Sequence, residues 1–231
     1  MSRLQHPCID AERPAGHHEG ARSDIVVEPR ATLTGGVAAG TSMPDEDTAA
    51  AGMLGPMHIR PETPNDVAAI RAVNVAAFPT PAEADLVERI RATDAFVPAL
   101  SLVAELAPSE DAASPELVVG HLMLSRVAIA GLDEQILALA PMAVVPEHQR
   151  QGIGSALVTA ALDAAEAREE PLVVVLGHPW FYPRFGFKRA SRYGLFPSES
   201  WPDAAFMAKP LTRWSQELRG RVVYPSAFDG L

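Results

Sequence analysis

A buried strand that runs into a helix through closely spaced glycines can hold an anion. The segment Val144-Val145-Pro146-Glu147-His148-Gln149-Arg150-Gln151-Gly152-Ile153-Gly154-Ser155 has that form. The N–H groups of a first helical turn lack intrahelical acceptors, the helix dipole stands behind them, and glycine lets a diphosphate approach the main chain closely. Gly152-x-Gly154 by itself does not identify the ligand. The third glycine of a dinucleotide fingerprint is missing, and so is the Gly-Lys-Ser/Thr ending of a P-loop, so a Rossmann or P-loop nucleotide protein fits badly. Other chemistries are poorly supplied. Cys8 is the single cysteine and stands in a polar stretch, which excludes an internal disulfide and any multi-thiolate metal site. His17-His18 has no carboxylate or thiolate at ligand spacing, and no metal is expected.

Hydrophobic periodicity gives the elements that must carry this loop. Ile136 to Leu139 and Met142 to Val145 form a nearly continuous apolar run, the pattern of a central strand, with Pro141 inside it. Proline donates nothing to a ladder, so the strand must bulge there or part from a neighbour. Beyond the loop, Ile153, Ala156, Leu157, Ala160 and Ala161 share one face of a helix predicted from Gly152 to about Arg168, and Leu172 to Leu176 reads as a buried parallel strand. Upstream, Met57 to Pro61 alternates like a strand. Thr63-Pro64-Asn65-Asp66 then opens a helix on which Val67, Ile70, Val73 and Ala77 share one face, and Phe78-Pro79-Thr80-Pro81 ends it. A second helix carries Leu86, Val87 and Ile90 inward and is stopped by the Pro98 region. Strands at Leu100 to Leu106 and Leu117 to Val127 flank a polar loop at 108–115. A short helix near Phe181 and strands near Phe187 to Ala190 and Ala205 to Leu211 complete a mixed sheet.

The chain has 231 residues, 48% apolar and 21% charged, which suits a soluble globular protein. No window approaches the ~20 consecutive apolar residues of a membrane span, and no basic region followed by an apolar core opens the chain. The expectation is a cytoplasmic protein without a membrane partner. A net charge of -10 with no basic run argues against nucleic acid. Residues 1–56 hold no Phe, Trp or Tyr and 7 of the 16 Gly, and they show no sustained period, so they are predicted to be a disordered tail before a domain at 57–231. Translation from Met57 would remove only that tail.

The strand-to-helix loop resembles the signature of the GNAT superfamily of N-acetyltransferases, V-x-P-x-x-[RQ]-x-x-G-x-[GA], at every defined position: Val144, Pro146, Gln149, Gly152 and Gly154. A second stretch, Gly177-His178-Pro179-Trp180-Phe181-Tyr182-Pro183-Arg184-Phe185-Gly186-Phe187, is similar to the family's F-Y-x-x-x-G-F element. Its Leu-Gly-His-Pro opening and the ending Val222-x-Tyr224-x-x-Ala227-Phe228 look like the YhbS-like subgroup. The resemblance covers about 57–231.

It implies a three-layer α/β fold with a central, mixed, splayed sheet and helices on both faces. It also implies direct transfer of an acetyl group from acetyl-CoA to an amine. Under it, Gln151, Gly152, Ile153, Gly154 and Ser155 hold the pyrophosphate, with Gln149 and Arg150 nearby. Met142, Ala143 and Val144 border the extended arm as a pseudo-strand, and Gly177, Tyr182 and Arg184 complete the cofactor surface. Tyr182 matches the position of the family's general acid, and the Met142 N–H is the candidate oxyanion donor. Glu83 and His121 are candidate bases; Glu83 reads equally as a capping carboxylate and His121 as a satisfied sheet histidine. Ser125, Glu105 and Trp180 are further candidates to line the acceptor pocket, and His178 to organise its turn. The absence of a plausible nucleophilic cysteine favours direct transfer. The acceptor is a small-molecule or peptide amine, and a homodimer through the later strands is compatible with the family pattern. The alternative is a noncatalytic acyl-CoA-binding module on the same fold.

Overall fold

Nearly continuous apolar runs in the central strands, with amphipathic helices on either side in sequence, dictate a sheet covered on both faces. The computed structural model describes residues 56–107 and 117–229, so the predicted tail with Cys8 and His17-His18, and the loop at 108–115, lie outside the described residues. The strands are β1 (Met57–Pro61), β2 (Phe96–Leu106), β3 (Leu117–Ile129), β4 (Gln135–Val144), β5 (Leu172–Leu176), β6 (Lys188–Arg189), β7 (Leu195–Phe196), β8 (Phe206–Pro210) and β9 (Gly220–Val223). The helices are α1 (Val67–Ala77), α2 (Ala82–Arg91) and α3 (Ile153–Ala167). The main sheet runs β1-β2-β3-β4-β5-β8-β6, with β9 paired to β3 and β7 to β9. The β1 to β4 pairs are antiparallel, β4 and β5 are parallel, and β8 returns antiparallel to β5.

The two faces have different covers. On one, Ile153, Leu157, Val158 and Ala161 of α3 pack against Leu122, Leu124, Leu137, Leu139, Met142, Val144, Val173 and Val175. On the other, Ile70 of α1 and Leu86, Val87 and Ile90 of α2 pack against Val103, Met123 and Ala140, while Val73 and Ala77 meet Ala143. The start of α1 is fixed as its sequence predicts: the Asp66 carboxylate accepts from the Thr63 N–H at 2.6 Å and the Thr63 hydroxyl at 2.8 Å.

The proline in the central strand has the consequence anticipated for it. Leu122 pairs with Met142 and Leu124 with Leu139, so the one residue Met123 on β3 faces Ala140 and Pro141 on β4, a bulge with a cis Ala140–Pro141 peptide. On the other side of β4, pairing with β5 runs from Leu137–Val173 to Leu139–Val175 and stops. From Ala140 to Val144, β4 keeps only its β3 neighbour. The sheet is splayed there.

Two expectations need correction. Pro98 does not stop the second helix, which ends at Arg91, where the Thr93 hydroxyl donates to the Ile90 carbonyl at 2.9 Å. Pro98 is an exposed residue inside β2, at the register shift between Phe96 and Ser101 that lets a strand tolerate it. The strands β7 and β9 were not foreseen because so few residues carry no readable alternation. Among the described residues no helix is long and apolar enough to cross a membrane.

Candidate active site

The anion-binding loop is built by a short 3-10 turn, Pro146–His148, followed by two residues in the left-handed region, Arg150 at φ +58° and Gly152 at φ +85°. Glycine takes that conformation without strain, and Gly152 is the N-cap of α3. The Gly152 carbonyl accepts the Ala156 N–H at 3.0 Å, while no described carbonyl or side chain takes the N–H groups of Ile153, Gly154 or Ser155. Beside them lies a cation. Arg184 donates from Nη2 to Ser155 Oγ at 3.3 Å, its guanidinium sits 4.6 Å from the centre of the Phe181 ring, and no described carboxylate pairs with it. A set of open N–H donors with an arginine at its rim suits a diphosphate.

Two glutamines hold the loop in shape. Gln149 donates from Nε2 to the Val144 carbonyl at 2.9 Å, and Gln151 from Nε2 to the Glu147 carbonyl at 3.1 Å. The signature glutamine thus spends its amide on the main chain of β4. The pseudo-strand expectation therefore applies to the Val144 N–H and the Met142 groups, since the Val144 carbonyl already has a donor.

Those groups face the splay. The Val145 N–H donates to the Val119 carbonyl at 2.9 Å, which makes Gly120–Val144 a non-hydrogen-bonded pair of the antiparallel ladder. By alternation His121–Ala143 exchanges hydrogen bonds and Leu122–Met142 does not. The main-chain N–H groups of Met142 and Val144 then point away from β3, into the gap left by β5. Ala143, by contrast, turns its backbone to β3 and its side chain to α1.

Tyr182 closes the α3 side of the gap. It belongs to the core cluster of Met142, Val144 and Val175, with its ring edge-on to Phe181 at 5.1 Å and Phe187 at 5.5 Å. Its hydroxyl has no described hydrogen-bond partner, and burial pushes its pKa far above the usual tyrosine value, so it stays a donor. The ring needs Gly177: a Cβ there would lie 2.2 Å from Tyr182 Cε2 and 2.9 Å from Cδ2. Gly177→Ala must therefore move the ring. A loss of about 1–3 kcal/mol in stability is expected from overpacking, together with a fall in turnover of about 10-fold or more from a displaced hydroxyl. Denaturant titration and steady-state rates read the two effects, and wild-type values in both would show the ring is not held by this contact.

Glu83 stands in the first turn of α2, on the inward face one turn before Val87. Its Oε2 is buried with no partner, and burial raises its pKa above the usual carboxylate value. His121 is a different case. It has no exposed surface, and both ring nitrogens are engaged, Nδ1 with Asn74 Nδ2 at 3.2 Å and Nε2 with Ser101 Oγ at 3.0 Å. Ser101 donates to Glu62, which Arg91 holds from Nε at 2.7 Å and Nη2 at 2.9 Å. This assigns a neutral, Nε2-protonated imidazole. Its pKa is lowered, first by burial. The described geometry gives His121 no open nitrogen for an acceptor, so only Glu83 of the two base candidates presents a free polar atom.

The remaining candidates are dispersed. Glu105 is ion-paired to Arg60, which also binds Asp66 at 2.7 Å. Ser125 is fully buried on β3 with its hydroxyl unpartnered. Trp180 is 41% exposed and stacked on His178 at 5.1 Å, so the pair forms the outer surface of the turn after β5. The partners of His121 went unforeseen because Glu62, Asn74 and Ser101 come from separate elements with no shared spacing.

Residues 103–189 match the acetyltransferase (GNAT) domain family. The chain is 32% identical over 165 residues to the uncharacterized N-acetyltransferase YjhQ of Escherichia coli strain K12, covering 68% of this chain and 86% of that one. It is 37% identical over 139 residues to the uncharacterized N-acetyltransferase YhbS of the same strain, covering 60% and 78%. The crystal structure of the GNAT family N-acetyltransferase YhbS from Escherichia coli in complex with CoA is similar at TM-score 0.67 and 30% identity, over 75% of this chain and 92% of that one. That of a GNAT family acetyltransferase from Brucella melitensis in complex with acetyl-CoA is similar at TM-score 0.60 and 31% identity, over 75% and 99%.

Proposed function

This chain belongs to the GNAT superfamily of N-acetyltransferases, on its YhbS-like branch, and from that premise we propose that it transfers acetyl from acetyl-CoA directly to a primary amine. The observation that carries the reading is the parting of β4 from β5 beyond Leu139, with the open N–H groups of Ile153, Gly154 and Ser155 at the start of α3. These residues fit the cosubstrate: the α3 amides and Arg184 suit its diphosphate, and the Met142 and Val144 edge suits its amide-bearing arm. Acetyl-CoA supplies a thioester whose carbonyl carbon is the electrophile.

The chain's own groups then divide the work. Glu83 takes the proton that the attacking amine must lose. The Met142 N–H, aimed into the splay, donates to the carbonyl oxygen as negative charge grows there. As the C–N bond forms and the C–S bond breaks, Tyr182 gives its proton to the leaving sulfur and regains one through solvent. Support comes from placement, since Glu83 approaches from the α1/α2 face of the sheet and Tyr182 from the α3 face. Acid and base on opposite faces suit a nucleophile entering on one side and a thiolate leaving on the other.

Calorimetry with acetyl-CoA and release of free thiol on adding amines test the reading. Binding heat and amine-dependent thiol are expected; acetyl-CoA binding with no thiol release from any amine would leave only a noncatalytic module. Glu83→Gln is expected to lower kcat/KM for the amine by about 10²-fold, with acetyl-CoA affinity unchanged. The pH profile supplies the sign. Glu83 works deprotonated with a raised pKa, so wild-type activity falls as pH drops through that value, and the variant should lose this acid limb. An acid limb that survives in Glu83→Gln would assign the base elsewhere.

A further inference from the structure

The wall that faces α2 beside the splay is aromatic. The Trp201 ring lies 5.8 Å from Phe206 and 5.5 Å from Tyr224, and Tyr224 lies 4.9 Å from Phe228. Phe228 in turn packs in the cluster that holds Ala140, at the β4 bulge, and Leu86 and Val87 of α2. A ladder of rings thus runs from Phe206 at the head of β8 to the cluster beneath α2 that also takes in Ala140, and Trp201, Tyr224 and Phe228 are each only half-buried. The segment carrying the last two is fastened to α2, since Arg89 donates from Nε to the Ala227 carbonyl at 2.7 Å and from Nη2 to the Asp229 carbonyl at 3.5 Å.

Polar atoms on this wall are unused. Trp201 Nε1 is buried without a described partner, although a buried indole N–H ordinarily finds an acceptor. Tyr224 is kept protonated by burial, and its hydroxyl has no described partner. Glu83, whose Oε2 is unpartnered, lies on the same inward face of α2 as Val87, which shares its cluster with Phe228. An anionic group on the inward face of α2 and a row of rings packed under the same helix ask for a ligand with a cationic end and a flat apolar body.

We infer that the acceptor is a small arylalkyl primary amine, its amino group directed to Glu83 and its ring received by Tyr224 and Phe228, with Trp201 Nε1–H donating to an oxygen on that ring. The inference rests on the acetyl-transfer reading above and adds the substrate class. Unbranched alkylamines lack the flat face, and a peptide N-terminus brings more backbone polar groups than the Trp201 indole and the Tyr224 hydroxyl can match.

Full-length protein and acetyl-CoA are assayed for thiol release with phenethylamine, tyramine, hexylamine, cadaverine and an alanine-peptide amide, while calorimetry follows acetyl-CoA binding in parallel. Phenethylamine is expected to exceed hexylamine in kcat/KM by about 10-fold or more. Phe228→Leu should shrink that gap to within about 3-fold while leaving acetyl-CoA affinity unchanged, and Trp201→Phe should lower tyramine use but not phenethylamine use. Equal or better use of the alkyl or peptide amines, no turnover of either aryl amine, or an aryl preference that survives Phe228→Leu would each overturn the inference even where acetyl-CoA binds. Failure of acetyl-CoA to bind would remove the acetyl-transfer reading and this inference with it.

Discussion

Tyr182→Phe is expected to reduce kcat by about 10-fold or more, up to the ~10²-fold typical of a lost proton transfer, and to leave acetyl-CoA affinity and stability nearly untouched. The substitution removes one oxygen from a ring that is otherwise fully supported: Phe181 and Phe187 hold it edge-on, and Gly177 gives it room. Because the hydroxyl has no described partner in the protein, deleting it strands no other polar group, and a stability loss should not confuse the result. The pH dependence adds a second readout. Burial keeps the phenol protonated well beyond its ordinary value of 10.0, so the acid remains competent through the alkaline range and wild-type kcat should show no tyrosine limb below that pH. Pre-steady-state mixing with a thiol reagent separates chemistry from product release. Unchanged chemical rates in Tyr182→Phe would assign the ring to packing and require another donor for the leaving sulfur.

The parts of this site that could be read from sequence are those whose physics is local. Pro141 within an apolar run announces a bulge or a parting of strands by its missing N–H alone, and the protein has both. Glycines before an amphipathic helix announce a helix N-terminus with room for an anion, and Gly152 is that N-cap in the left-handed region. What required coordinates was every relation between residues distant in the chain. Gln149 sits in a motif that suggests ligand contact, yet its amide goes to Val144, a choice set by how the loop folds back. His121 looks from sequence like either a base or a sheet histidine; its surroundings come from α1, β2 and the turn after β1, which no spacing rule connects. The aromatic ladder is similar, since Trp201 and Phe228 meet only through Tyr224.

The network around His121 carries the largest expected effect on stability. Glu62 and Arg91 side chains are only 7% and 14% exposed, and the carboxylate also accepts from Ser101, which in turn accepts from the imidazole. Burial alone would raise the Glu62 pKa, but the nearby His121 ring, 3.8 Å away at Nε2, and hydrogen bonds from Arg91 and Ser101 outweigh it and hold the carboxyl at about 2. Glu62→Ala leaves a largely buried guanidinium unpaired and is expected to cost about 3–5 kcal/mol, which is a large share of the stability of an ordinary domain.

Two groups then give the same sign with pH. His121 has a folded pKa below its ordinary 6.5, so the unfolded chain binds the proton more readily and stability is lost as pH falls from there. Glu62, lowered from 4.5, contributes fully above that value and loses its contribution as pH drops toward 2. Wild-type unfolding free energy should therefore decline below pH 6.5, by up to ~1.4 kcal/mol per pH unit for each proton of difference, and more steeply below 4.5. His121→Gln should remove the first part of that decline while Glu62 still supplies the second. Denaturant titrations of both proteins at pH 8, 5.5 and 4 distinguish the contributions. Parallel profiles between pH 8 and 5.5 would mean that the buried imidazole does not set the acid sensitivity, and a rise in wild-type stability over that interval would contradict the neutral form assigned to it.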